Sequence, residues 1–136
     1  MTDNLRNLYD VILQVASENP FIEDTHEKNI YEVANEGHST FPLFCCEVES
    51  ATNNENTITY NFQFCVSDLH RTEGQVQQWA LQKDILSDIV TQIEGATLKT
   101  FTYYVQKFSE LCVLTIANVE IEIAKEICYE KEDRII

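Results

Sequence analysis

Glycine and proline are nearly missing from this chain, with three and two in 136 residues. That scarcity excludes a glycine-rich phosphate loop, a G-x-S-x-G elbow and a dinucleotide-binding turn, because each needs glycines at fixed spacing. It also leaves no Gly/Ser or Pro-rich linker, low-complexity tract or internal repeat. There is no H-E-x-x-H pair. No apolar run approaches the roughly 20 residues needed to span a bilayer. The start, Met1-Thr2-Asp3-Asn4, lacks the basic and apolar segments of a secretion signal, so the reading is a cytosolic chain without a membrane partner.

Basic residues are scarce as well. Nine Lys and Arg stand against 23 Asp and Glu, a net charge of −14 with the acids spread along the whole chain. Such a surface repels phosphates, which disfavours groove or backbone binding of DNA and attachment to anionic membranes. It suits a soluble acidic protein, or a surface that must not stick to nucleic acid passing close by. A DNA-mimicking inhibitor is the rival reading, weakened by the interleaving of Lys28, Lys83, Lys99 and Lys107 among the acids.

The five cysteines (45, 46, 65, 112 and 128) are an odd number with no C-x-x-C spacing. Without a secretion signal they read as reduced thiols serving as small apolar residues. A zinc site would need Cys45, Cys46 or Cys65 to meet His26, His38 or His70. Adjacent strand residues point to opposite faces, so Cys45 and Cys46 cannot easily share one ion. No metal and no cofactor are expected. Glu47 with Glu49, and Asp68 near His70, are the candidate acid/base pairs, but exposed acids on a strand face rarely shift one another enough to work as such. No catalytic residue is nominated and no enzyme activity is expected.

A chain of this length is one domain's worth and should bury roughly two-thirds of its unfolded surface. Residues 1–128 are read as a single α+β domain and 129–136 as a C-terminal tail, either frayed or an arm onto a neighbour. The organising stretch is 57–94. Over 57–68 every second residue is large and apolar (Ile58, Tyr60, Phe62, Phe64, Val66), the period of a half-buried strand in an antiparallel sheet. Thr72-Glu73-Gly74-Gln75 then gives a capping hydroxyl with Gln three residues on, which predicts a helix over 73–94. Its apolar positions, Val76, Trp79, Ala80, Ile85, Leu86, Ile89, Val90 and Ile93, cover an arc of roughly 220°, too wide for one contact surface. Leu81 falls outside that arc and is a candidate intersubunit contact.

Upstream, Leu5, Leu8, Ile12 and Val15 predict a docking helix over 3–17, ended by Asn19-Pro20. Ile30, Tyr31 and Val33 suggest a short strand, while 23–28 shows no regular pattern. A strand over 41–50 pairs with 57–68 as a hairpin across the loop 51–56. Strands over 100–107 and 111–125 form the second hairpin. The last strand is apolar on both faces at Cys112, Leu114 and Ile116 but polar on one at Asn118, Glu120 and Glu122, so its first half should be covered twice and its second half once. Its length suggests that it projects past the sheet. The fold is therefore a mixed or antiparallel sheet of two hairpins, with a long helix on one face and an N-terminal helix, in the order α-β-β-β-α-β-β.

Four segments in that order carry a family resemblance: Phe41-Pro42-Leu43-Phe44, the stretch Thr59-Tyr60-Asn61-Phe62-Gln63-Phe64-Cys65-Val66-Ser67-Asp68-Leu69, then Gln82-Lys83-Asp84-Ile85-Leu86-Ser87-Asp88-Ile89, and Lys107-Phe108-Ser109-Glu110. Together they resemble the tail-completion and neck ring proteins of tailed bacteriophages, those of crAss-like phages most of all. The turn before the last strand departs from that pattern, with Leu111-Cys112 in place of Ala-Gly. The resemblance implies a structural virion protein of the head-to-tail connector, made in the host cytoplasm. It would form a homo-oligomeric ring with portal, neck or tail proteins as neighbours and DNA passing through without specific binding. Leu81, Leu114 and Ile116 would then serve the subunit interface. Glu47, Glu49, Glu120 and Glu122 would form an acidic lumen or exterior.

Overall fold

The computed structural model describes residues 4–37, 40–72 and 74–125. Helix α1 (Asn4–Ser17), strand β1 (Asp24–His26) and helix α2 (Ile30–Glu36) precede a hairpin of β2 (Leu43–Asn53) and β3 (Thr57–Leu69). Helix α3 (Gln75–Thr91) then leads to a second hairpin of β4 (Ala96–Lys107) and β5 (Leu111–Ala124). The five strands form one mixed sheet in the order β1-β2-β3-β5-β4, with β1 parallel to β2 and every other pair antiparallel. This is the α+β class read from the sequence, with the two hairpins and the long helix where the two periodicities put them.

One face of the sheet carries the main core. Phe44, Phe62 and Phe64 are fully buried there beneath Ile12 of α1 and Leu86 and Ile89 of α3. Their rings meet edge to face, Phe44 on Phe64 at 5.3 Å and Phe62 on Phe64 at 5.9 Å between centroids, the geometry that aromatic quadrupoles favour. Tyr9 of α1 adds a ring 5.3 Å from Phe62, and its hydroxyl accepts the Val48 N–H at 2.8 Å. That contact lies beside a bulge in β2, where the register with β3 shifts between Val48 and Ser50.

The opposite face is covered over half its length. Ile30 and Val33 of α2 close over Leu43, Cys45, Cys65, Cys112, Leu114 and Ile116. Helix α2 replaces the short strand expected near Ile30. Its signal is a capping box: the Asn29 side-chain oxygen accepts the Glu32 N–H at 3.0 Å while its amide donates to the Glu32 carboxylate at 2.9 Å. The first strand is instead Asp24–His26, inside the segment that showed no pattern. At three residues it is too short to display alternation.

Two further expectations are corrected. β5 does not project past the sheet, because β3 pairs with it from Thr57↔Ala124 to Leu69↔Cys112. Helix α3 starts at Gln75 behind Gly74, which caps it without a side-chain hydrogen bond, so the Thr72 box is not used. Its first turns are also rotated from the expected arc: Val76 is 71% exposed, while Gln78 and Gln82 are buried. Hydrogen bonds explain the burial of the two glutamines. Gln82 donates to the Val113 carbonyl and accepts from the Thr115 hydroxyl, both at 2.8 Å, and Gln78 donates to the Leu69 carbonyl at 2.7 Å. These side chains sew the helix to the sheet through polar atoms, which a hydropathy wheel counts on the wrong side.

The four described cysteines are buried and free; Cys128 lies outside the described residues. Cys45 faces Cys65 across β2 and β3, and that neighbouring thiol together with burial holds the Cys45 thiol well above its ordinary range. Burial pushes Cys46 up as well. Both groups keep their protons in the folded state at a pH where the unfolded chain, with thiols near 8.5, loses them. Folded stability is therefore expected to fall as pH rises above about 8.5, by up to about 1.4 kcal/mol per pH unit for each such thiol. Denaturant titrations at pH 7 and 9.5 check this, and Cys46→Ala should flatten the slope. Cys45 and Cys46 should also resist alkylation at pH 8 until the protein unfolds.

Candidate functional site

The two edges of the sheet are unlike. At the β1 edge the strand has three residues, and Asp24 Oδ2 lies 2.9 Å from His26 Nε2, so the exposed backbone there is short and polar. At the other edge β4 runs for twelve residues, paired with β5 on one side and with no strand on its other side among the described residues. Natural edges are usually guarded by charge, proline or bulges. The first half of β4 has such guards, a bulge between Leu98 and Thr100 and the ammonium of Lys99, 3.9 Å from the Glu120 carboxylate. The second half, Thr100-Phe101-Thr102-Tyr103-Tyr104-Val105-Gln106, has no charge, proline or bulge.

That stretch is apolar on one face, at Phe101, Tyr103 and Val105, and carries Tyr104 among Thr100, Thr102 and Gln106 on the other. Tyr103 is 43% exposed, Tyr104 41% and Val105 39%. On the α3 side the Tyr103 ring lies between Phe101, stacked at 6.4 Å, and the Trp79 indole at 5.6 Å. Trp79 Nε1 donates to the Tyr104 carbonyl at 3.1 Å, which pins helix to strand. Val76, one turn before Trp79 on the same helix face, is exposed too. Across the strand, the turn that follows β4 is fixed by Phe108, whose ring meets Tyr31 of α2 edge to face at 5.8 Å. Electrostatically the edge is the exception in this chain. Residues 95–109 contain Lys99 and Lys107 and no Asp or Glu, against a net charge of −14 overall.

The residues singled out from the sequence fall elsewhere. Leu114 is 1% and Ile116 9% exposed beneath α2 of their own chain, so the interface assigned to them is corrected: a helix read as a strand covers them. Leu81 is exposed and lines a shallow groove with Phe21, Pro42, Asp68, Arg71 and Gln78. Glu49 and Glu120 come together with Asn61, Lys99, Thr100 and Asn118 in an open groove of about 480 Å³ on the uncovered half of the sheet. Glu47 lies apart, 3.5 Å from the Asn29 amide, and Glu122 is exposed near Gly95. Asp68 pairs with Arg71 at 2.9 Å and His70 is exposed. Among the described residues no three His, Cys, Asp or Glu side chains stand where they could hold a metal ion. The sequence reading missed the β4 edge because its alternation looks like that of any half-buried strand. The absence of acids over 95–109 was its available signal.

Fold and surface together define a sheet-and-helix domain with one long edge strand, uncharged over 100–106. No protein-family model and no curated protein matches the chain. Among solved structures it is similar to the type 4 fimbrial biogenesis protein PilO from Pseudomonas aeruginosa, with a TM-score of 0.43 and 9% identity over 91% of this chain and 72% of that one. It is likewise similar to the core region of PilO from the type IV pilus system of the same organism, with a TM-score of 0.40 and 10% identity over 73% and 95%. These findings correct the expectation of a phage tail-completion or neck ring subunit: the structures found are fimbrial biogenesis proteins. The virion location, the portal and tail neighbours and the passing DNA go with it. No described helix is long and apolar enough to cross a membrane.

Proposed function

We propose that the chain is a non-catalytic protein-binding domain that takes an extended segment of a partner polypeptide onto the outer edge of β4. The observation that carries this reading is the uncharged run over 100–106, without proline or bulge, on an edge strand. Strand addition supplies main-chain hydrogen bonds for affinity and side-chain contacts on alternate faces for specificity. A segment pairing here meets Tyr103, Val105 and Trp79 on one face and Tyr104 on the other. Lys99 and Lys107 flank this apolar centre, and the fitting partner carries apolar residues at its middle and Asp or Glu toward its ends. Charge complementarity favours such a strand over a basic one at this edge, although the rest of the surface is acidic.

Selection from a displayed library of ten-residue peptides tests this. The selected sequences should follow that pattern and protect the amides of 100–106 from hydrogen exchange. Tyr104→Lys with Val105→Lys, both at exposed positions, should weaken binding about tenfold or more, since charge on an edge opposes pairing. No selected peptide, or protection elsewhere, would refute the reading. A concentration-dependent dimer dissolved by the same pair of substitutions would assign the edge to a second copy instead.

A further inference from the structure

Beneath α2 lies a cavity of about 110 Å³. Its walls are Ile30, Val33 and Ala34 of the helix, Leu43 of β2, and Phe41 and Phe108 from the flanking turns. The register explains why there is space. Ser67 of β3 sits in one cross-sheet row between Leu43 of β2 and Leu114 of β5, and a small side chain between two leucines leaves the layer under α2 short of atoms. Ser67 is fully buried. Its Oγ is the one buried side-chain polar atom among the described residues without a hydrogen-bond partner.

An unpaired buried hydroxyl costs stability unless something bonds it. The neighbouring Cys112 thiol does not suffice. The hydroxyl lies close enough to offset part of the upward push that burial gives that thiol, but sulfur is a weak acceptor. The Cys112 S–H is itself directed to the Glu110 carbonyl at 3.6 Å. Leucine or valine at position 67 would fill the space and remove the orphan; serine does neither. At about 110 Å³ the space is smaller than the roughly 150 Å³ apolar cavity that takes benzene, so it suits only a molecule of about that size or one that partly protrudes past Glu110. Glu110 at the rim, within an acidic surface, disfavours an anion.

We propose that this cavity is a binding site for a small neutral molecule with an apolar body and one hydroxyl or carbonyl group, which the Ser67 hydroxyl recognises. It is separate from the β4 edge and independent of that assignment. Phenol and benzene are the probes, titrated into the whole chain and followed by amide chemical shifts. Phenol should shift Val33, Ser67 and Cys112 saturably and bind about fivefold more tightly than benzene, the size of one hydrogen bond. Ser67→Ala, which removes no packed carbon, should abolish that preference. Ala34→Leu, at a half-buried helix position, should fill the space and abolish binding of both. The proposal is overturned by the absence of saturable shifts at these amides, by equal affinity for the two probes, or by a preference that survives Ser67→Ala. Thermal unfolding of each variant confirms folding, and should Ala34→Leu fail to fold, the Ser67→Ala comparison decides.

Discussion

Truncation of Phe62 to alanine is expected to lower folding stability by about 3–5 kcal/mol, the range for emptying a large aromatic position in a packed core. Phe62 is fully buried at the middle of β3, where it contacts the rings of Tyr9, Tyr60 and Phe64 at 5.3, 6.4 and 5.9 Å. The site cannot collapse easily. Its neighbours hang from three different elements, α1, β3 and the α3 layer, and β3 is held on both sides, by β2 and by β5. Since a domain of this kind has only about 5–15 kcal/mol in hand, the variant should melt on the order of 10 °C lower. Chemical denaturation with an unchanged m-value is the measurement. A loss under about 1 kcal/mol would mean that the β3 register is wrong by one residue, because a one-residue slip turns Phe62 to the other face.

A second large effect is expected from Gly95→Ala. Gly95 turns the chain from α3 into β4 with φ of +81°, a region in which a Cβ meets its own backbone and costs about 1–2 kcal/mol. A Cβ here would also stand 2.3 Å from the backbone carbonyl oxygen of Glu122, and Gly95's own carbonyl accepts the Glu122 N–H at 3.1 Å. Strand β5 therefore cannot retreat without losing that bond. With a further 1–3 kcal/mol or so for the forced backbone shift, the total should reach about 2–5 kcal/mol. Gly37, also at positive φ but with nothing within 4 Å of a Cβ, is the control: alanine there should cost only the conformational part. Equal losses at the two sites would show that the close approach of β5 contributes nothing.

The contrast between these positions shows how far the sequence reaches. The period of two over 57–68 placed Phe62 and Phe64 in the core, because a strand's side chains must alternate whatever it packs against. The switch along the last strand from Leu114 and Ile116 to Asn118 and Glu120 likewise foretold a sheet covered twice at one end and once at the other, since water contact selects polar residues locally. Tertiary structure decided what does the covering. Ile30 and Val33 could have been strand or helix on their own apolarity, and the Asn29–Glu32 cap together with the waiting face of Leu43, Leu114 and Ile116 made them helix. Gln78 and Gln82 were placed inside by acceptors on strands far away in the chain, which no local pattern contains. The same holds for both candidate sites. That β4 is an edge follows from sheet order, and that Ser67 sits in a gap follows from its leucine neighbours on two other strands. Sequence fixes which residues prefer to leave water, but which surfaces then remain unpaired is set by long-range pairing.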